Sequence, residues 1–289
     1  MTSALLWLVL QSASIHFGEG REVDLGLALR ASAWGTEAKA GAGVDFVVGS
    51  IAGHLDPKLK AQLAFAATGN GQVQLLDAVA MLEPSPYAKL WLGHFVPPSD
   101  RATLTGPFLS AAWDPVFVTA FPSGFAGRDD GAALWGDAGR FHYSAGYFRG
   151  GSWEGRAQLD LLDLEAGYYR PGSYYGAKRV ISFGVSVHQV GGWSIDGFSE
   201  LPGPLGVFDL EAAANAKGAY GQLSWMLRAT TPYGRPQLWA RYQWSRPHTR
   251  AELGLGWIVD GPFIRFDLTL ARDEGLAVWS ARLGVQLVL

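Results

Sequence analysis

Arg228, Arg241, Arg250, Arg265 and Arg282 fall one apiece in five successive C-terminal segments, each alternating apolar and polar residues. On adjacent strands of a closed sheet these cations would line one wall as a guanidinium stripe, and rings or ladders of Arg favour anions in pores. Arg30, Lys58, Lys60 and Lys89 share the polar phase of earlier segments and would add to the same field. The competing arrangement is a set of ordinary ion pairs with the interspersed acids Glu252, Asp267, Asp209 and Glu211. A second charged group, Asp100, Arg101, Asp114, Arg128, Asp129 and Asp130, lies in an aperiodic stretch, residues 95–130. If that stretch narrows a passage, these residues set the constriction, with Arg101 the first candidate.

Other chemistry finds little support. His16, His54, His94, His142, His188 and His248 are scattered without a spacing such as His-x-x-x-His, so no metal site is expected. His142 and Ser144 share a strand face, but two residues apart on one strand is poor geometry for a nucleophile and its base. No catalytic residue is assigned and no enzyme is expected. No glycine-rich phosphate loop lies between a strand and a helix, and no cofactor is called for. With no cysteine, disulfides and thiol chemistry are excluded. A net charge of −3 without a basic cluster gives no footprint for nucleic acid.

The elements that would position the charges read as strands. Period-two alternation starts at Val23 and returns in Leu59–Phe65, Ala88–Leu92, Phe141–Tyr147 and Ile181–Val187, then most cleanly from Leu223 to Leu289. Short turns such as Asp260-Gly261-Pro262 separate them. Leu75-Leu76 and Leu161-Leu162 break phase and are expected to be bulges, while Trp193–Gly206 is unassigned with room for a short strand. Charged residues make up only 17% of the chain, and no apolar run is long enough for a membrane helix. Trp225, Trp244, Trp257 and Trp279 sit at the ends of apolar stripes, where interfacial girdles lie on a transmembrane barrel.

The fold expected is all-β: a transmembrane antiparallel β-barrel of sixteen strands (fourteen the alternative) with one long inward-folded loop. That loop, 95–130, holds five prolines together with Phe108, Trp113, Phe117, Phe121 and Phe125, too apolar to hang in water. Residues 1–20 read as a signal peptide or N-terminal extension, and 21–289 as a single barrel domain. A soluble β-sandwich binding module is the alternative fold, and a barrel plugged by its loop, serving as a binding protein or scaffold, the alternative use.

Three segments resemble the phosphate-selective porin O and P family. Leu90-Trp91-Leu92-Gly93-His94-Phe95-Val96-Pro97-Pro98 is similar to its strand-ending Gly-Gln-Phe-x-x-Pro signature, with His94 in the Gln position. Leu75-Leu76-Asp77-Ala78-Val79 resembles the Asp-Ala pair of the preceding strand. Gly127-Arg128-Asp129-Asp130-Gly131-Ala132 resembles the Gly-Arg-Asp-x-Gly-Val motif after the long inward loop. The last eight residues, Arg282–Leu289, follow the spacing of an outer-membrane assembly signal, ending in Leu where relatives end in Phe. The resemblance implies a homotrimeric, anion-preferring diffusion channel in the outer membrane of a Gram-negative bacterium, narrowed by the loop after its fifth strand. Its partners would be membrane lipid and small anions or other small solutes, with Arg128 and Asp129 anchoring the loop base. The family's phosphate-binding lysines have no alignable counterpart.

Overall fold

In a computed structural model, residues 13–17, 21–119, 127–229, 231–274 and 278–289 are described. Phe121, Pro122, Phe125 and most of the expected leader lie outside them. The strands are β1 (Ala13–His16), β2 (Glu22–Thr36), β3 (Ala40–Asp56), β4 (Leu59–Thr68), β5 (Val73–Ser85) and β6 (Ala88–Phe95). A short helix, α1 (Arg101–Leu109), precedes β7 (Asp129–Ala138), β8 (Phe141–Phe148), β9 (Ser152–Asp160), β10 (Val180–His188) and β11 (Gly192–Gly203). The remainder are β12 (Gly206–Asn215), β13 (Gly218–Leu227), β14 (Arg235–Ser245), β15 (His248–Asp260), β16 (Ile264–Asp273) and β17 (Val278–Val288).

Each strand from β2 to β17 pairs antiparallel with the next, and β17 pairs back onto β2, closing a sixteen-stranded barrel. Closure removes every edge, the requirement for a sheet in lipid. The short β1 pairs with the first residues of β2, in line with the end of β17. Leu289 and Leu27 exchange backbone hydrogen bonds between the two segments.

The alternation is inside out relative to a soluble protein. On β15, Leu253 is 63% exposed on the outer face while Glu252 beside it is 2% exposed on the inner one. Gln237, Arg241 and Gln243 are likewise buried inward from β14, between outward Leu238, Tyr242 and Trp244. Aromatics form two outer bands. Trp34, Trp153, Trp193, Trp244 and Trp279 lie toward one end, and Phe141, Phe208, Trp225, Trp257 and Phe263 toward the other, as girdles at two interfaces require.

Leu76 is the extra residue of a bulge opposite Ala64 and Phe65, as its phase break foretold. Leu161-Leu162 is not a bulge: β9 ends at Asp160, Leu161 N and Asp163 N still bond Ile181 O and Arg179 O, and the chain turns inward from Glu165. The unassigned Trp193–Gly206 is nearly all strand β11. Pro202 and three glycines had masked the pattern.

Candidate functional site

Because strands alternate in direction, the β6–β7 connection opens from one mouth and the β9–β10 connection from the other, the mouth that also holds Leu289 and the start of β2. Both fold into the lumen. The first was expected as a structureless loop, yet it contains α1. Asp100 caps this helix, accepting from Thr103 N at 2.9 Å, and Gly106 (φ 63°) breaks it before Pro107. The second, 161–179, was not recognised as an inner segment; its four Tyr, one Pro and three Gly carried no period to reveal it.

The two segments interlock. Arg170 N donates to Leu104 O, Gly172 N to Leu109 O, and the Tyr168 hydroxyl to Val96 O at 2.9 Å. Arg101, the expected constriction residue, is fully buried. Its guanidinium forms a fork with Glu165 (2.9 and 2.8 Å) and also donates to Pro171 O. Burial by itself would raise the Glu165 carboxyl. Arg101 beside it, with Arg170 and the Ser182 hydroxyl, holds it well below the usual carboxylate range. Burial would lower the Arg101 guanidinium, but Glu165 overrides it and raises it.

The expected arginine stripe forms on the wall, but its work is to grip the first segment. Arg265 donates to Ser110 O and Ala111 O, and Arg30 to Pro107 O and Trp113 O while lying 3.7 Å over the Trp113 ring. Arg241 bonds Glu252 and donates to Asp114 O, while Arg250 and Arg282 both bond the Asp114 carboxylate, at 2.7 and 2.5 Å. Of the competing acids, Glu252 and Asp267 do pair with these cations, whereas Asp209 accepts from Ser224 and Glu211 from Tyr220. Two of the expected lumen cations are not in the lumen. Lys58 sits exposed in the two-residue turn before β4, and Arg228 lies exposed beyond β13, donating to Pro204 O. The alternation ran one residue too far in each case. Lys60 pairs with Glu83 (2.9 Å), and Lys89 with Asp137 (3.2 Å) over the Trp135 ring.

The three motif segments converge at the base of the first inner segment. Arg128 Nε bonds Asp77 Oδ1 at 3.1 Å, and His94 Nδ1 lies 2.7 Å from Asp130, which also pairs with Arg149. Asp129 accepts from Asp130 N. Gly93 has φ 133°, and a Cβ there would stand 2.0 Å from Ala78 O, so only glycine fits this strand end.

Apolar clusters complete the packing. Trp91, Phe95, Trp135 and Phe148 of the wall surround Tyr168, and Ala28, Val48, Ala64 and Leu76 surround Phe108. Across β8 to β11 the lining is polar: Arg156 bonds Asp196 and Ser99 O, and Ser173 bonds Glu200. His142 bonds Asp137 and Asp160 rather than Ser144. Tyr175 packs on Val207, Met226 and Ile258, and Val116 and Val118 pack on Tyr220. Contacts with the inner segments thus run round the wall, from Arg30 of β2 through Trp91 of β6, Ser182 of β10 and Arg241 of β14 to Arg282 of β17. Between them, the residues around His142, Arg156 and Arg170 leave a cavity of about 20 Å³, room for a water or so. The charges that keep part of their surface open to solvent lie toward the mouths: Arg250, Arg282 and Asp114 near one, Lys60, Glu83, Lys89 and Asp137 near the other.

No family model and no curated protein sequence matches the chain. Among solved structures, Salmonella typhi OmpF in complex with daunomycin aligns at TM-score 0.65 and 8% identity, over 95% of this chain and 99% of that one. A mutant of the Rh. blastica porin aligns at 0.63 and 11%, covering 92% and 99%. The Vibrio cholerae outer membrane protein OmpT, in its trimer form, aligns at 0.55 and 10%, covering 93% and 99%. At such identities the likeness is one of architecture: the chain has the barrel fold of the outer-membrane porins.

Proposed function

We propose that the protein is a porin-type barrel of a Gram-negative outer membrane, passing small hydrophilic solutes by passive diffusion through a lumen narrowed from both mouths. The observation that carries this reading is the closed barrel with apolar exterior and charged interior, its solvent-open charges gathered toward the two mouths. The inner segments set the size limit, so the solutes are ions and the smallest neutral molecules. Anions are preferred, because the three guanidinium groups of Arg241, Arg250 and Arg282 outnumber the two carboxylates they meet at one mouth, Asp114 and Glu252. The resemblance to phosphate-selective porins extends to the base of the loop and supplies no phosphate site. A homotrimer, the form of the Vibrio cholerae structure, belongs to the same proposal and is tested by cross-linking in membranes.

A second reading is a plugged barrel, favoured by contacts of the inner segments with wall strands all round the lumen. Liposome swelling separates the two. Proteoliposomes that swell in small sugars or salts but not in larger oligosaccharides support the channel, and vesicles that stay impermeable to all of them support the plug.

A further inference from the structure

At the mouth that holds Leu289, four side chains from three adjacent strands meet. Glu22 and Asp24 stand two apart on β2, on one face, and the register sets Glu22 opposite His54 of β3 and His16 of β1. His54 lies between the carboxylates, Nδ1 3.5 Å from Glu22 Oε1 and Nε2 3.4 Å from Asp24 Oδ2. His16 Nδ1 is 3.4 Å from Glu22 Oε2. These separations exceed a good hydrogen bond. An imidazole gives one nitrogen to one ion, so the separation that matches is that of His54 Nε2 from Asp24 Oδ2, 3.4 Å against the roughly 3.3 Å between two donors on a tetrahedral ion with bonds of about 2.0–2.1 Å.

A second observation points the same way. Asp24 is only 2% exposed, and its Oδ2, aimed at His54, accepts no hydrogen bond among the described residues. The Ser14 hydroxyl of β1 holds the other oxygen at 2.5 Å, fixing the carboxylate as a supporting partner of a ligand does. One donor atom from each of Glu22, Asp24 and His54 lies within 4.8 Å of the others. Lys60, opposite His54 on β4, is paired with Glu83.

We propose that Glu22, Asp24 and His54 bind a divalent transition-metal cation of the zinc class, with His16 as a fourth ligand. Imidazole among carboxylates suits such an ion, whereas calcium and magnesium take oxygen ligands throughout. The ion would staple β1 across β2 to β3 at the seam where β17 closes the barrel. The sequence hid this site because its ligands are spaced across strands rather than along one. It is separate from the inner segments and does not depend on the pore reading.

The test is calorimetric titration of Zn²⁺ into tag-free, chelator-treated full chain folded in detergent. One equivalent should bind, Ca²⁺ should not compete, and His54→Ala and Asp24→Asn should each weaken binding by more than about tenfold, the loss that even an outer partner's removal brings. Should either variant fail to fold, Glu22→Gln at the more open edge of the cluster carries the same expectation. His16→Ala should weaken binding less. No binding by the wild type, or undiminished binding in the folded ligand variants, overturns the site.

Discussion

Arg101 and Glu165 enter the barrel from opposite mouths and meet in a fork-to-fork ion pair with neither side chain exposed. Between residues 164 and 178 no backbone ladder to the wall is seen among the described residues, so this pair, with Tyr168, Arg170 and Gly172, locks one segment to the other. A buried ion pair is costly to desolvate, and breaking it from one side costs about 3–5 kcal/mol because the remaining charge is stranded.

Removing one partner should therefore loosen the interior without opening the barrel wall. Glu165→Ala or Arg101→Ala is expected to lower the lock's stability by about 3–5 kcal/mol. The inner segments should become protease-sensitive while the barrel stays heat-resistant on gels. Equal protease resistance in both variants and wild type would remove the lock.

Acid should act on the same pair. Because the folded Glu165 carboxyl lies below its unfolded value, its contribution is present in full above the unfolded pKa, about 4.3 for Glu. That contribution is lost as pH falls from there toward the folded value. Hydrogen exchange of 161–179 should thus accelerate below about pH 4, and the acceleration should be absent in Glu165→Gln, which cannot titrate.

Asp114 is shared by Arg250 and Arg282, both partly open to solvent. Asp114→Asn should remove the carboxylate from Arg282, leave Arg250 with Glu252, and shift the reversal potential toward anions under a salt gradient. Arg250→Ala with Arg282→Ala should shift it the other way. Unchanged reversal potentials in both would take this cluster out of the permeation path.

The glycine of the C-terminal motif has a packing role. A Cβ at Gly284 would stand 2.5 Å from the Trp113 ring, whereas one at Gly49 meets nothing within 4 Å. Gly284→Ala should cost about 1–3 kcal/mol by overpacking, and Gly49→Ala should be nearly neutral. Thermal unfolding of the two variants in detergent makes the comparison.

The barrel was legible because a wall facing lipid on one side and charge on the other imposes period two on nearly every strand. Its exceptions have local causes: Pro202 and flanking glycines obscured β11, and Leu161-Leu162 broke phase because the chain was leaving the sheet. The long loop showed itself by prolines and aromatics, and Arg128, expected at its base, bonds Asp77. The destination of the arginines was not legible. Period two says that Arg265 faces inward, but nothing in it says that Ser110 and Ala111 carbonyls wait there. The guanidinium stripe is a receptor for the loop, and Arg101 is a buried lock between the two inner segments.

The most direct test of a two-sided constriction is single-channel recording of the detergent-purified protein in a planar bilayer under a salt gradient, beside Glu165→Ala. The account predicts small, discrete, anion-selective steps in the wild type and larger steps in the variant. Properly inserted protein that gives no steps in either form would contradict it and leave the plugged barrel standing.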